Sequence, residues 1–290
     1  MQNKISSLYL IIVAALWGLT FPLITESMKT EDPFLFVSLR FSLAAIPILP
    51  YFFKRLSREI LIGGVILGII HCGAFLTQTI GLQTVKSSRA AFLTSMYVLM
   101  TPMIAPLFKM GKPGKHDYIS ALICCFGVYV LMGCDLGSMT VGDGWVFAGA
   151  ICIAVSIIYI GKLANRWEDP NMLTYSQIVM TAILSWIPCA IFGRFDFIPF
   201  LNPQSLIIVS SCSFLCTLFA IALQSKHQKF VSVQSAALIF SLEPVFAALF
   251  DSLFTLSLPD LATLLGGIII LFSVVYLEVV KSKIAKIHPN

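Results

Sequence analysis

Apolar residues along this chain come in ten long blocks. They do not alternate as in a half-buried strand, nor recur every three or four residues as on a helix packed against a soluble core. The blocks run roughly over 7–26, 33–53, 60–82, 88–109, 117–134, 144–164, 171–193, 204–225, 232–252 and 259–280. Each approaches the 20 or so mostly apolar residues that cross a bilayer as one helix. The breaks are short and carry turn or charge signals: KTEDP (29–33), KRLSRE (54–59), KMGKPGKHD (109–117) and NRWEDPN (165–171). Connections this short make neighbouring helices antiparallel. The first apolar run, Leu8 to Ile24, is longer than a signal-peptide core and has no small-x-small cleavage site after it, so it reads as the first span.

Composition agrees. The 290 residues are 58% hydrophobic and 11% charged, where a soluble domain carries about 25% charged residues. The net charge of +5 matters less than its distribution. With the N-terminus inside, the inner segments hold 14 Lys and Arg and the outer segments hold four, Lys29, Lys86, Arg89 and Arg194; Arg40 lies within a span. The positive-inside rule then predicts a multi-pass protein of the cell membrane with both termini cytoplasmic.

The two halves are alike. EDPFLFVSLRF (31–41) matches EDPNMLTYSQI (168–178), placing Arg40 on Gln177 at an offset of 137. AFLTQ (74–78) matches AIALQ (220–224), and RAAFLTSMY (89–97) matches SAALIFSLE (235–243), both at an offset of 146. Gln78 then falls on Gln224, and Tyr97 on Glu243. Five spans per half is an odd number, so the second half enters the membrane from the opposite side. The expected fold is an all-α membrane protein, ten transmembrane helices arranged as a 5+5 inverted-topology repeat, with repeats at 1–137 and 138–290. Such repeats are a mark of secondary transporters, which bind substrate near the midplane between the halves.

Four stretches carry a family resemblance: AALWGLTFPL (14–23), SLRFSLAA (38–45), RAAFLTSMYVLMTP (89–102) and AALIFSLEPVFAALF (236–250). On these the chain resembles the drug/metabolite transporter superfamily, and in particular its ten-helix EamA-type exporters and permeases. It departs from the family where a Gly-Glu pair often follows the LEPV helix; Leu256 and Ser257 stand there in TLSLPD (255–260). The resemblance implies a carrier of small molecules, with export the commoner direction, and does not name the cargo.

Few ionisable or amide side chains lie inside the blocks. Glu243, in FSLEPVFAALF (240–250), is near the middle of its span, where a charge costs about 2.5–3.5 kcal/mol on insertion scales. It is either a protonatable carboxylate for proton coupling or for a cationic substrate group, or a donor to the carbonyl that Pro244 leaves without its N–H. Arg40 lies seven residues past Pro33, roughly 10 Å deep. It either binds a substrate carboxylate or phosphate or reaches outward to water or an acidic helix end. Its repeat partner Gln177 is uncharged, which makes the site electrostatically asymmetric. Gln78 and Gln224 line a cavity or join helices. Tyr97 is expected to share a cavity with Glu243, and Trp17 either lines it or packs. His71 reads as a packing histidine, and Lys86 and Arg89 as interface anchors. Pro102 and Pro106 on the fourth span and Pro244 on the ninth predict breaks in two equivalent helices, which bend during gating. The eight cysteines read as small buried side chains.

No HExxH, GxSxG, acidic metal cluster or Gly-rich phosphate loop is present, so neither an enzyme nor a metal or other cofactor is expected. A single chain without a ring of like residues is not a channel pattern. The expected function is secondary transport of a small metabolite by alternating access, with an amino acid or derivative first and export before uptake. The alternatives are uptake or exchange of an S-adenosylmethionine-type or nucleotide-like metabolite, and flipping of a lipid-linked substrate. The expected partners are the substrate, the bilayer and protons as coupling ion, with no nucleic acid, and the chain is expected as a monomer or homodimer.

Overall fold

The computed structural model describes residues 2–287 apart from 111, 135, 136, 165 and 168; for 2–4 and 281–287 it gives the backbone alone. Glu168 of the second EDP, and the side chains of Lys4, Lys281, Lys283 and Lys286 from the charge count, therefore lie outside the described residues. The chain is helical throughout its spans. These are α1 (Ile5–Ser27), α2 (Pro33–Lys54), α3 (Arg58–Gly81), α4 (Ser87–Phe108), α6 (Val141–Ala164), α7 (Pro170–Ile191), α8 (Pro203–Phe230), α9 (Val233–Phe254) and α10 (Leu261–Val280), nine helices among the described residues that are long and apolar enough to cross a membrane. The tenth, α5 (Lys115–Leu131), has 17 residues, about 25 Å of rise. It stops short of the expected 134 because the chain turns back through Gly133 at φ +74°, whose N–H bonds to Val130 O.

Local chemistry sets the ends. Asp32 accepts from the N–H groups of Phe34 and Leu35 ahead of α2, with Pro33 at the first helical position. Asp169 and Pro170 do the same for α7, Asp169 accepting from Asn171 N. The repeated Asp-Pro is thus a helix start used twice. Asp260 accepts from Thr263 N at 2.7 Å, and this bond, with one from the Thr263 side chain, holds its carboxyl below the usual carboxylate range.

The packing follows the repeat. Exchanging α1–α5 with α6–α10 maps the α3–α6 contact onto α8–α1, α3–α7 onto α8–α2 and α1–α9 onto α6–α4; all are present. The pairs α2–α7, α4–α9 and α5–α10 map onto themselves. In the last pair a Cβ on Gly266 would lie 2.3 Å from Leu131 N, and one on Gly127 2.9 Å from Ile270 N. Gly127 and Gly266 differ by 139, as do Leu131 and Ile270, so one close contact is made twice across a pseudo-twofold axis.

The same duplication appears in charges at the two ends of α2–α7. Asp169 pairs with Arg55 at 2.7 Å on one face, and Asp32 with Arg194 at 3.7 Å on the other. A second pair, Arg166 with Glu59 at 2.7 Å, reinforces the tighter end. These pairs are at least partly exposed and contribute little stability each. Arg89 donates from Nε and one Nη to the two oxygens of buried Asp143, at 2.6 and 2.9 Å, joining α4 to α6. It is an inter-helix tie rather than an interface anchor.

The outer rows are apolar and exposed, for example Ile62, Ile66 and Ile69 on α3, Ile183, Ile187 and Ile191 on α7, and Leu264, Ile268 and Leu271 on α10. Only lipid accommodates such rows around a whole bundle. Cys134, expected to be buried, is exposed in the α5–α6 turn.

Among the described residues, four helices depart from regularity within their spans, and α2 does so through a 3-10 turn at Ile46–Ile48. α4 breaks at Met96, between helical segments Ser87–Ser95 and Tyr97–Ile104. α9 breaks at Ser241–Leu242, between Val233–Phe240 and Glu243–Phe254. These places are equivalent at the offset of 146. The break expected at Pro102 is therefore corrected: Pro102 lies inside a helical segment, and the interruption precedes Tyr97, as its partner precedes Glu243. α8 contains a π-helical stretch, Phe214–Phe219.

The α5–α10 contact gives a stability test. Gly266→Ala drives a methyl into backbone and is expected to destabilise by about 1–3 kcal/mol. Gly144→Ala, where nothing lies within 4 Å, is expected to be neutral or better. Thermal unfolding of the two variants in detergent checks the contrast.

Candidate functional site

A narrow cavity lies midway along the bundle, lined from both halves by α1, α2, α3, α6, α8 and α9. Its volume is about 40 Å³, room for about three waters. Its walls are mostly apolar, and Arg40, His71, Gln78, Gln224 and Glu243 are its main polar contributors.

Glu243 starts the second segment of α9 and is 5% exposed. The Tyr97 hydroxyl donates to its Oε1 at 3.3 Å. The carboxylate therefore bonds to its repeat partner across the axis and not to a carbonyl of its own helix. Tyr97, fully buried, stands behind Glu243 and is not itself on the cavity wall. Pro244 takes the second position of that segment, where no intrahelical N–H bond is due. Gly18 lets α1 pack directly on α9 here, since a Cβ there would lie 2.8 Å from Glu243 O.

Arg40 is also buried. Its Nε donates to Thr217 Oγ1 at 2.7 Å, and its guanidinium carbon lies 4.9 Å from the Phe75 ring centroid and 5.7 Å from that of Phe41. It neither snorkels nor pairs with an acidic helix end. The π-helical stretch of α8 organises this corner. Thr217 hydroxyl donates back to Cys212 O, five residues earlier, at 2.8 Å. The carbonyl of Cys216, in the same stretch, accepts from Trp17 Nε1 at 3.1 Å. Trp17 thus both lines the cavity and ties α1 to α8. Such π insertions cluster at functional sites.

The glutamines divide. Gln78 lines the cavity and donates to Thr94 Oγ1 at 3.2 Å; Gln224 lines it and donates to Gln228 Oε1 at 2.9 Å. Gln177 does not reach it. It is fully buried between α7 and α8, donating to Ser225 Oγ at 2.9 Å. The expectation that it lines the cavity is corrected: α7 stands behind α3 and α8, so the repeat of Arg40 is held one layer out.

His71 was read as packing, yet it is on the wall, edge-on to Phe75 with its Nδ1 unpartnered. The signal was present in the spacing. His71, Ala74, Phe75 and Gln78 fall at i, i+3, i+4 and i+7, one face of α3, and all four line the cavity. Once Gln78 is placed there, His71 follows.

The EamA-like transporter family matches the chain twice, at residues 4–133 and 140–278. The chain belongs to the EamA-like transporter family. An uncharacterized transporter of Archaeoglobus fulgidus is 29% identical over 270 residues, covering 93% of this chain and 84% of its own length. A second uncharacterized transporter of that organism is 24% identical, covering 97% and 99%. A protein of known crystal structure superimposes with a TM-score of 0.77 at 16% identity over 97% of this chain and 99% of its own, a likeness of fold. This EamA-like chain is therefore a multi-pass membrane transporter with a cavity between its repeats.

Trp17→Phe keeps the ring's bulk and removes the donor to Cys216 O. It is expected to lower stability by about 0.5–1.5 kcal/mol, read as a lower unfolding midpoint of the purified protein.

Proposed function

We propose that this protein is a secondary transporter that carries a small zwitterionic metabolite, an amino acid or close derivative, by alternating access of two repeats, residues 1–137 and 138–290. The observation that carries this is the pairing of opposites without neutralisation. Arg40 and Glu243 line one cavity but form no ion pair with each other; each is held by a neutral hydroxyl instead. A zwitterion satisfies both charges while its side chain meets Trp17, Phe21 and Phe75.

Alternating access is supported by the size of the cavity and by the joints around it. A cavity with room for a few waters has to widen to admit a metabolite. The breaks before Tyr97 and Glu243 put a joint at equivalent places in α4 and α9, the helices that meet on the axis. Glu243 is the candidate for proton coupling. It faces Tyr97 from α4, with Arg40 of α2 and His71 of α3 in the same cavity. The charge distribution supports cytoplasmic termini in the cell membrane, and the family resemblance favours export.

Two experiments test the reading. In proteoliposomes loaded with a neutral amino acid, Glu243→Gln is expected to abolish proton-driven uptake and its pH dependence while leaving exchange measurable. Unchanged pH dependence removes the coupling role. For orientation, a membrane-impermeant thiol reagent applied outside cells is expected to label Asn202→Cys and not Lys112→Cys in a cysteine-free background. Labelling of both from one side removes the inverted arrangement.

A further inference from the structure

Arg40 is 1% exposed and, among the described residues, forms no ion pair and no hydrogen bond through its η nitrogens. A buried guanidinium normally brings its counter-ion with it, because packing alone does not offset the desolvation of a lone charge. Neither nearby acid forms an ion pair with it. Glu243 accepts from Tyr97 through one oxygen, and Glu31, in the α1–α2 turn, accepts from Ser27 through one oxygen while its Oε1 has no partner.

The rest of the side chain is held on two sides. Thr217 spends its proton on Cys212 O, which leaves oxygen lone pairs for Arg40 Nε at 2.7 Å. That bond depends on the π-helical spacing, since the Thr217–Cys212 contact runs back five residues. Phe75 covers one face of the guanidinium. With Nε taken and a face covered, the edge between the two η nitrogens remains, and that edge matches a carboxylate in a two-point bond. The corresponding residue of the other repeat, Gln177, is bonded to Ser225 and is off the wall. Among the described residues the cavity wall therefore holds one permanent cation, in one half only.

We infer that the η edge of Arg40 binds the carboxylate of the transported substrate, and that Thr217, in the π-helical stretch of α8, is the positioning residue that aims it. This rests on the carrier reading above and deepens it: the substrate enters with a fixed polarity, acid toward α2 and α8, and amine toward Glu243 on α9.

The test uses the purified full-length protein, the neutral amino acids and their matched carboxamides. Thermal stabilisation in detergent gives affinity and proteoliposome counterflow gives transport. At least one acid is expected to bind the wild type, with its carboxamide weaker by about tenfold or more, the span of one charge-assisted hydrogen bond. Thr217→Val is expected to shrink that acid-to-amide ratio by weakening the acid more than the carboxamide, and Thr217→Ser to restore it. Arg40→Gln is expected to abolish the ratio. A carboxamide bound and carried as well as its acid, or a ratio untouched by Thr217→Val, overturns the assignment and leaves the carrier reading standing. A panel in which nothing is bound or carried overturns both.

Discussion

A polar group inside a bilayer has no water to turn to, so it has to be satisfied by the protein or by what the protein binds. That constraint orders the whole bundle. It makes every span a helix, sends the exposed rows of isoleucine and leucine outward, and gathers the amides, hydroxyls and charges on the inner faces. Gln177 with Ser225, Gln78 with Thr94, and Gln224 with Gln228 are its ordinary outcome, each an amide joined to a neighbour. Arg40 and Glu243 stand apart on the cavity wall, because each is a charged side chain whose hydrogen-bond partner is a neutral hydroxyl.

Inverted duplication supplies the frame, and departures from it supply the chemistry. The Asp-Pro helix starts, the ion pairs at both ends of α2–α7 and the glycine contact of α5–α10 are each built twice. At the centre the copies diverge. Tyr97 and Glu243 occupy equivalent places as phenol and carboxylate, so they can bond to each other, which two carboxylates at neutral pH would not readily do. Arg40 and Gln177 diverge in charge and in layer. His71 and Thr217 are also equivalent at the offset of 146, and one has an unpartnered ring nitrogen while the other holds Arg40. The periphery is thus built symmetrically and the centre asymmetrically.

The helix interruptions fit this division. A helix break in lipid is tolerated only where protein covers the freed backbone groups. Met96 and Ser241–Leu242 lie where α4 and α9 meet, and Cys216 O in the π-helical stretch is taken by Trp17. The breaks in α4 and α9 thus face each other, and the π-helical stretch turns Cys216 and Thr217 inward while Phe214, Leu215 and Phe219 are exposed.

Several of these features follow from the sequence alone. The length and number of apolar blocks, the Lys and Arg bias and the repeat offsets determine ten spans in a 5+5 inverted arrangement, because hydropathy and duplication are written residue by residue. Glu243, Arg40, Gln78, Gln224 and Trp17 are legible as polar or amphipathic residues within apolar runs. Which of them face the same cavity is not. Gln177 has the same credentials as Gln224 and stands outside it; His71 looks like packing and lines it. The π-helical stretch in FLCTLF (214–219) has no proline or glycine to announce it, and Pro102 announces a break that occurs six residues earlier. Those outcomes depend on how far each helix is rotated and shifted against its neighbours, which is set by contacts between residues far apart in sequence, 48 positions for Gln177 with Ser225 and 199 for Trp17 with Cys216. Only the packed bundle decides them.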